Sequence, residues 1–102
     1  TDIFAINYDK EIALSEKKAD YRMAVRLHFL KLLKNMANIQ VINYQEKRTN
    51  LDYHMQLYGT AWHDDFGLLS RHFEYSWYGQ FEVSEPQYEK IKSDFLKVEQ
   101  RF

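Results

Sequence analysis

Apolar positions recur every three to four residues along most of the chain, the spacing of one face of an α-helix. The longest such run is Tyr21 to Ala37, with Tyr21, Met23, Ala24, Val25, Leu27, Phe29, Leu30, Leu32, Leu33 and Met36. These positions cover more than one stripe, which predicts a central helix touched by several neighbours. Asp20 precedes it as an N-cap. Trp62, Phe66, Leu69, Phe73 and Trp77 form one stripe and predict a further helix. Thr60 is its expected cap, and Asp64 and Asp65 suit the positive end of its dipole. Gly67 interrupts that stripe at a cost of about 1 kcal/mol against Ala. A close helix–helix crossing explains a glycine there, and Gly79 ends the helix.

The remaining elements are shorter. Asn7 or Asp9 caps a first helix carrying Tyr8, Ile12 and Leu14, and Lys17 and Lys18 lie at its C-terminal end. Asp2 to Ile6 precedes it as an apolar arm. Ile39 to Tyr44 alternates weakly and reads as a short extended connection, followed by a polar loop over Gln45 to Arg48. Thr49 caps a third helix with Asp52 at the capping-box position. Leu51, Met55 and Tyr58 recur there at helical spacing, and Gly59 supplies a left-handed terminator. The last helix has the clearest start. Ser84 and Gln87 form a capping box, Val83 and Tyr88 occupy the staple positions, and Pro86 lies in the first turn. Tyr88, Ile91, Phe95, Val98 and Phe102 share one face.

The pattern predicts an all-α fold, a compact bundle of about five helices, with residues 1–102 as a single α-helical domain. The stretch Ala19-Asp20-Tyr21-x-x-Ala24-Val25 resembles the start of the second helix of a tetratricopeptide repeat, so a helix hairpin of that kind is expected near the N-terminus. One half-repeat makes no solenoid. The chain starts at Thr1 without Met, and reads as a segment of a longer protein.

Composition supports this picture. Aromatic residues make up 17% of the chain, enough bulk to fill a core. One Pro and three Gly leave few forced turns. The net charge is −1, without the basic footprint of a duplex nucleic-acid binder. The absence of Cys removes disulfides and thiolate metal sites. No apolar run reaches the ~18 residues of a membrane span.

Candidate chemistry is thin. His63-Asp64 on a helix suggests a metal-dependent phosphohydrolase, in which carboxylates and imidazole hold an ion that activates water. The other reading is an acidic first turn, and further His and Asp ligands are missing from the characteristic positions. His28, His54 and His72 show no HExxH-type spacing with His63. The serines lack a nucleophile elbow, and no glycine-rich phosphate loop is present. No catalytic residue, metal ligand or cofactor is assigned. Arg22 and Arg26 lie one turn apart and form either an anion-binding pair or an ion pair with a carboxylate such as Glu74. The ion pair is the expectation. With Lys47 and Arg48 they are also the residues a nucleic-acid-binding helical domain would use. Phe73 and Trp77 are expected in the core. Tyr75 and Tyr78 lie off the stripe, free to anchor a partner peptide or stack on bases.

Three motifs occur in order: Asp20-Tyr21-Arg22-Met23-Ala24-Val25-Arg26-Leu27, Lys47-Arg48-Thr49-Asn50-Leu51-Asp52-Tyr53 and Phe73-Glu74-Tyr75-Ser76-Trp77-Tyr78-Gly79. Together they resemble the bacterial domain of unknown function 4129 in its Bacteroidetes-like form, over about Ile3 to Phe102. The resemblance implies a non-catalytic interaction or scaffolding module, the C-terminal soluble part of a membrane-anchored protein at the cytoplasmic face of the bacterial inner membrane. Some relatives carry a transglutaminase-like module. The implied partners are MoxR-type AAA+ ATPases or von Willebrand-A-like proteins. The motif positions it singles out are Tyr21, Arg22, Arg26, Thr49, Asn50, Tyr53, Phe73, Glu74, Trp77, Tyr78 and Gly79; Tyr75 joins them as a possible contact.

Overall fold

The computed structural model describes residues 1–102. Asn7 accepts a hydrogen bond from the Lys10 amide and starts α1, Tyr8–Lys17. Asp20 accepts from the Met23 amide and starts α2, Tyr21–Asn38. Thr49 and Asp52 close a capping box at the head of α3, Asn50–Gln56. Helix α4 runs His63–Tyr78, and α5 runs Glu85–Glu99 behind the reciprocal Ser84–Gln87 box. Each side-chain cap satisfies an amide that the helix itself leaves unpaired. There is no strand.

Two local expectations fail. Thr60 does not cap α4: its hydroxyl donates to the Leu57 carbonyl and accepts from the Trp62 amide, in the turn before the helix. The α4 N-terminus has no side-chain cap, and Asp64 and Asp65 face its dipole instead. Ile39 to Ile42 is a run of turns and bends rather than an extended connection, and Asn43 and Tyr44 follow without regular structure. Gln40 there takes the left-handed conformation, φ 63°, as α2 ends. Gly59 has φ +79° as expected, although α3 has already ended at Gln56.

Helix α2 is the pillar. α1, α4 and α5 each pack against it, and α3 reaches the bundle through α4. The main core joins Val25, Phe29, Leu33 and Met36 of α2 to Phe66 and Leu69 of α4 and to Tyr88, Ile91, Phe95 and Val98 of α5. Tyr8, Ile12 and Leu27 form a smaller cluster between α1 and α2. The radius of gyration, 13.1 Å, matches a compact chain of this length. The Gly67 expectation holds. A Cβ at Gly67 would stand 3.0 Å from His54 Nε2, so the glycine lets α3 lie close against α4.

A part-buried polar chain also ties α1, α2 and α5. The Tyr88 hydroxyl donates to Glu16 Oε2 at 2.5 Å, and Lys92 donates to the same oxygen at 2.7 Å. His28 Nε2 lies 3.3 Å from the Tyr88 oxygen. The Tyr88 hydrogen is committed to Glu16, so His28 donates, which sets the Nε2–H tautomer of the neutral ring. Burial pushes His28 down to about 4, because a charged imidazole would lose its hydration there. Burial opposes ionisation of Glu16, but hydrogen bonds from Lys92 and Tyr88 outweigh it and hold the group below its ordinary value. A second ionic link runs beside it: Lys31 of α2 pairs with Glu99 of α5 and, at 3.6 Å, with Asp9 of α1.

This geometry sets a pH dependence. Unfolded, His28 takes up a proton near pH 6.5; folded, it stays neutral until about pH 4. Between these values the unfolded chain binds more protons, so stability falls as pH drops through that window. The loss is at most about 3 kcal/mol. Urea unfolding at pH values from 7 to 4.5 is expected to give this slope, and His28→Gln to flatten it. A parent chain with constant stability over the window contradicts the buried neutral His28.

Candidate functional site

The three motifs meet at one end of the bundle. Arg22 and Arg26 project from the first turns of α2, Trp77 and Tyr78 from the last turn of α4, and Thr49 and Asn50 from the head of α3. Both guanidinium carbons lie 4.6 Å from the centre of the Trp77 indole. Arg22 also donates Nε–H and Nη2–H to the Trp77 carbonyl oxygen, at 3.1 and 2.6 Å. That carbonyl belongs to the last turn of α4 and has no helical partner, so Arg22 acts as a C-terminal clasp.

The expected ion pair with Glu74 is therefore incorrect. Neither Arg22 nor Arg26 has a carboxylate partner. Glu74 instead accepts a long hydrogen bond, 3.5 Å, from Asn50 Nδ2. Trp77 is likewise not a core residue. It is half-buried, with Phe73 stacked beside it at 6.4 Å and the arginines against it. Phe73 is also half-buried, but it stacks on core Phe29 at 4.7 Å and 7°.

The other motif residues divide clearly. Tyr53 is buried; its hydroxyl donates to the Gln45 carbonyl and accepts the Gln45 amide, which pins the loop before α3. Tyr21 stacks on Tyr88 at 4.9 Å and seals the α2–α5 contact. Thr49 is the cap of α3. Gly79 is needed where it stands, because a Cβ would collide with the Tyr75 carbonyl oxygen. Tyr75 and Tyr78 are exposed.

A feature that sequence periodicity leaves ambiguous lies next to them. Leu51, Met55 and Tyr58 follow a helical spacing, yet they point outward and are 66%, 67% and 81% exposed. The buried residues of this segment are Tyr53 and Leu57. Leu51 shares a groove with Arg48, Thr49, Asn50, Phe73, Glu74 and Tyr78. Met55 and Tyr58 border the next depression with His54 and His63. The outer face of α3 and the end of α4 thus expose Leu51, Met55, Tyr58 and Tyr78 beside two depressions, the first of which is also lined by Arg48, Thr49, Asn50 and Glu74.

The space beside buried His28 encloses ≈ 10 Å³, enough for about one water. His63 Nδ1 contacts Asp64 at 3.1 Å, and its ring stacks on His54 at 4.0 Å. Asp65 is held by Arg101. No three His, Asp or Glu side chains converge there or elsewhere on a point a metal ion could occupy. No helix is long and apolar enough to cross a membrane. Comparison with family models, curated proteins and solved structures gives no match.

The clasp separates the two arginines in a testable way. Arg22→Ala removes both a charge-assisted carbonyl cap and a cation–π contact, and is expected to cost about 1–2 kcal/mol. Arg26→Ala removes only the second, from a half-buried side chain, and is expected to cost about 1 kcal/mol or less. Denaturant midpoints of the two variants check the order; a larger loss for Arg26→Ala contradicts it.

Proposed function

We propose that the chain is a non-catalytic protein-interaction module that docks a partner on the outer face of α3 and the end of α4. The observation that carries this reading is the exposed row Leu51, Met55, Tyr58 and Tyr78. Large apolar side chains grouped on one surface, outside the core, mark interaction sites. Tyr, Met and Arg are also the residue types that interfaces favour. The surface does not serve stability, because α3 is already anchored by Tyr53, Leu57 and the Gly67 crossing.

The resemblance of the three motifs to the bacterial domain of unknown function 4129 extends the proposal. In that reading the module belongs to a membrane-anchored protein, at the cytoplasmic face of the bacterial inner membrane. A MoxR-type AAA+ ATPase or a von Willebrand-A-like protein is then its partner. Convergence of residues from all three motifs at one end of the bundle supports treating them as one site. The metal-dependent phosphohydrolase reading gains no support from the surroundings of His63.

A photo-crosslinking residue placed at Met55, in native membranes carrying the parent protein, is expected to trap a discrete partner. The same residue at Lys97, exposed on α5, is expected to trap none. Equal crosslinking at the two sites, or none at Met55, contradicts the proposal.

A further inference from the structure

Arg26 is the unusual cation of this surface. It is half-buried against Trp77, yet it has no carboxylate partner and donates no hydrogen bond to the protein. The neighbouring cations are engaged. Arg22 grips the Trp77 carbonyl, and Arg48 donates to the Asn43 carbonyl. Of the nearby acids, Asp20 and Asp52 are occupied as helix caps and Glu74 faces Asn50, while Glu82 lies beside Arg22 in a separate depression. A guanidinium held 4.6 Å over an indole, with no partner in the protein, leaves its N–H groups available to a planar acceptor such as a carboxylate.

An aromatic row links Arg26 to the groove beside Leu51. Trp77 neighbours Phe73, Phe73 meets Tyr78 edge-on at 6.2 Å, and Phe73 and Tyr78 line the groove with Leu51. We infer that this surface binds an acidic peptide segment, with a carboxylate held by Arg26 beside Trp77 and an adjoining apolar side chain seated among Leu51, Phe73 and Tyr78. The inference rests on the reading of this face as a protein-docking surface, and it names the chemistry of the partner. A nucleic-acid strand fits less well. The arginines form no continuous stripe that could follow a phosphate backbone, whereas a single carboxylate needs only Arg26 and can lie away from Glu74.

The test is selection from a random twelve-residue peptide library on the intact chain. Each enriched peptide is then titrated against the parent chain, Arg26→Glu, Arg26→Gln and Leu51→Ser. Circular dichroism establishes that each variant is folded. The expected result is enrichment of Asp or Glu beside Leu or an aromatic residue, with affinity at least about tenfold weaker for Arg26→Glu and clearly weaker for Arg26→Gln and Leu51→Ser. Enriched peptides without acidic bias, or with equal affinity for Arg26→Glu, overturn the inference and leave the docking reading standing. Failure of any peptide to enrich overturns both. A single-stranded 20-nucleotide DNA that binds the parent chain more tightly than any peptide, and loses affinity in Arg26→Glu, also overturns it by assigning the site to nucleic acid.

Discussion

The whole arrangement depends on one helix being buried on several sides at once. Helix α2 has no solvent-facing stripe wide enough to call a surface, and three other helices gather on it. Val25 and Phe29 look toward α4 and α5, while Leu27 looks toward α1. Such a helix cannot be stabilised by its own propensity or by a single partner. It forms only when the others close around it, so the bundle is expected to be cooperative.

Two kinds of contact divide the work around that pillar. On the side of α1 and α5, buried polar groups join apolar packing: Glu16, His28, Tyr88 and Lys92 satisfy one another, and Lys31 bridges Asp9 and Glu99. A paired, part-buried network favours one arrangement of helices, because a shift leaves charged or polar atoms unmatched. On the side of α4 the contact is aromatic, from Phe29 through Phe73 to Trp77, and it reaches the surface. There it ends in cations and exposed tyrosines rather than in a closed core. The first side holds the helices together, and the second ends at the surface proposed for docking.

Elements governed by local chemistry were legible in the sequence. The caps at Asp20, Thr49 and Ser84 depend on the amide three positions on and form as expected, and Asn7 is the one of the two candidates that caps α1, while Thr60 does not cap α4. Gly67 signalled a close crossing because a helix tolerates such a cost only for packing. Contacts between distant segments were not legible. Arg22 and Trp77 are 55 positions apart, and opposite charge suggested Glu74 where an indole and a carbonyl are the partners. His28, Glu16 and Tyr88 come from three helices, so their network carries no spacing signal. The row Leu51, Met55 and Tyr58 was visible as a helical stripe, but periodicity does not distinguish a stripe facing a core from one facing outward.

Native-state hydrogen exchange tests the pillar most directly. The amides of Val25, Phe29, Leu33 and Met36 are expected to exchange only through global unfolding, with the free energy that urea denaturation gives. Those of Met55, Gln56 and Leu57 in the α3 segment, which packs on α4 alone, are expected to open at distinctly lower free energy. An α3 segment as protected as α2, or an α2 that opens before its neighbours, would contradict this account.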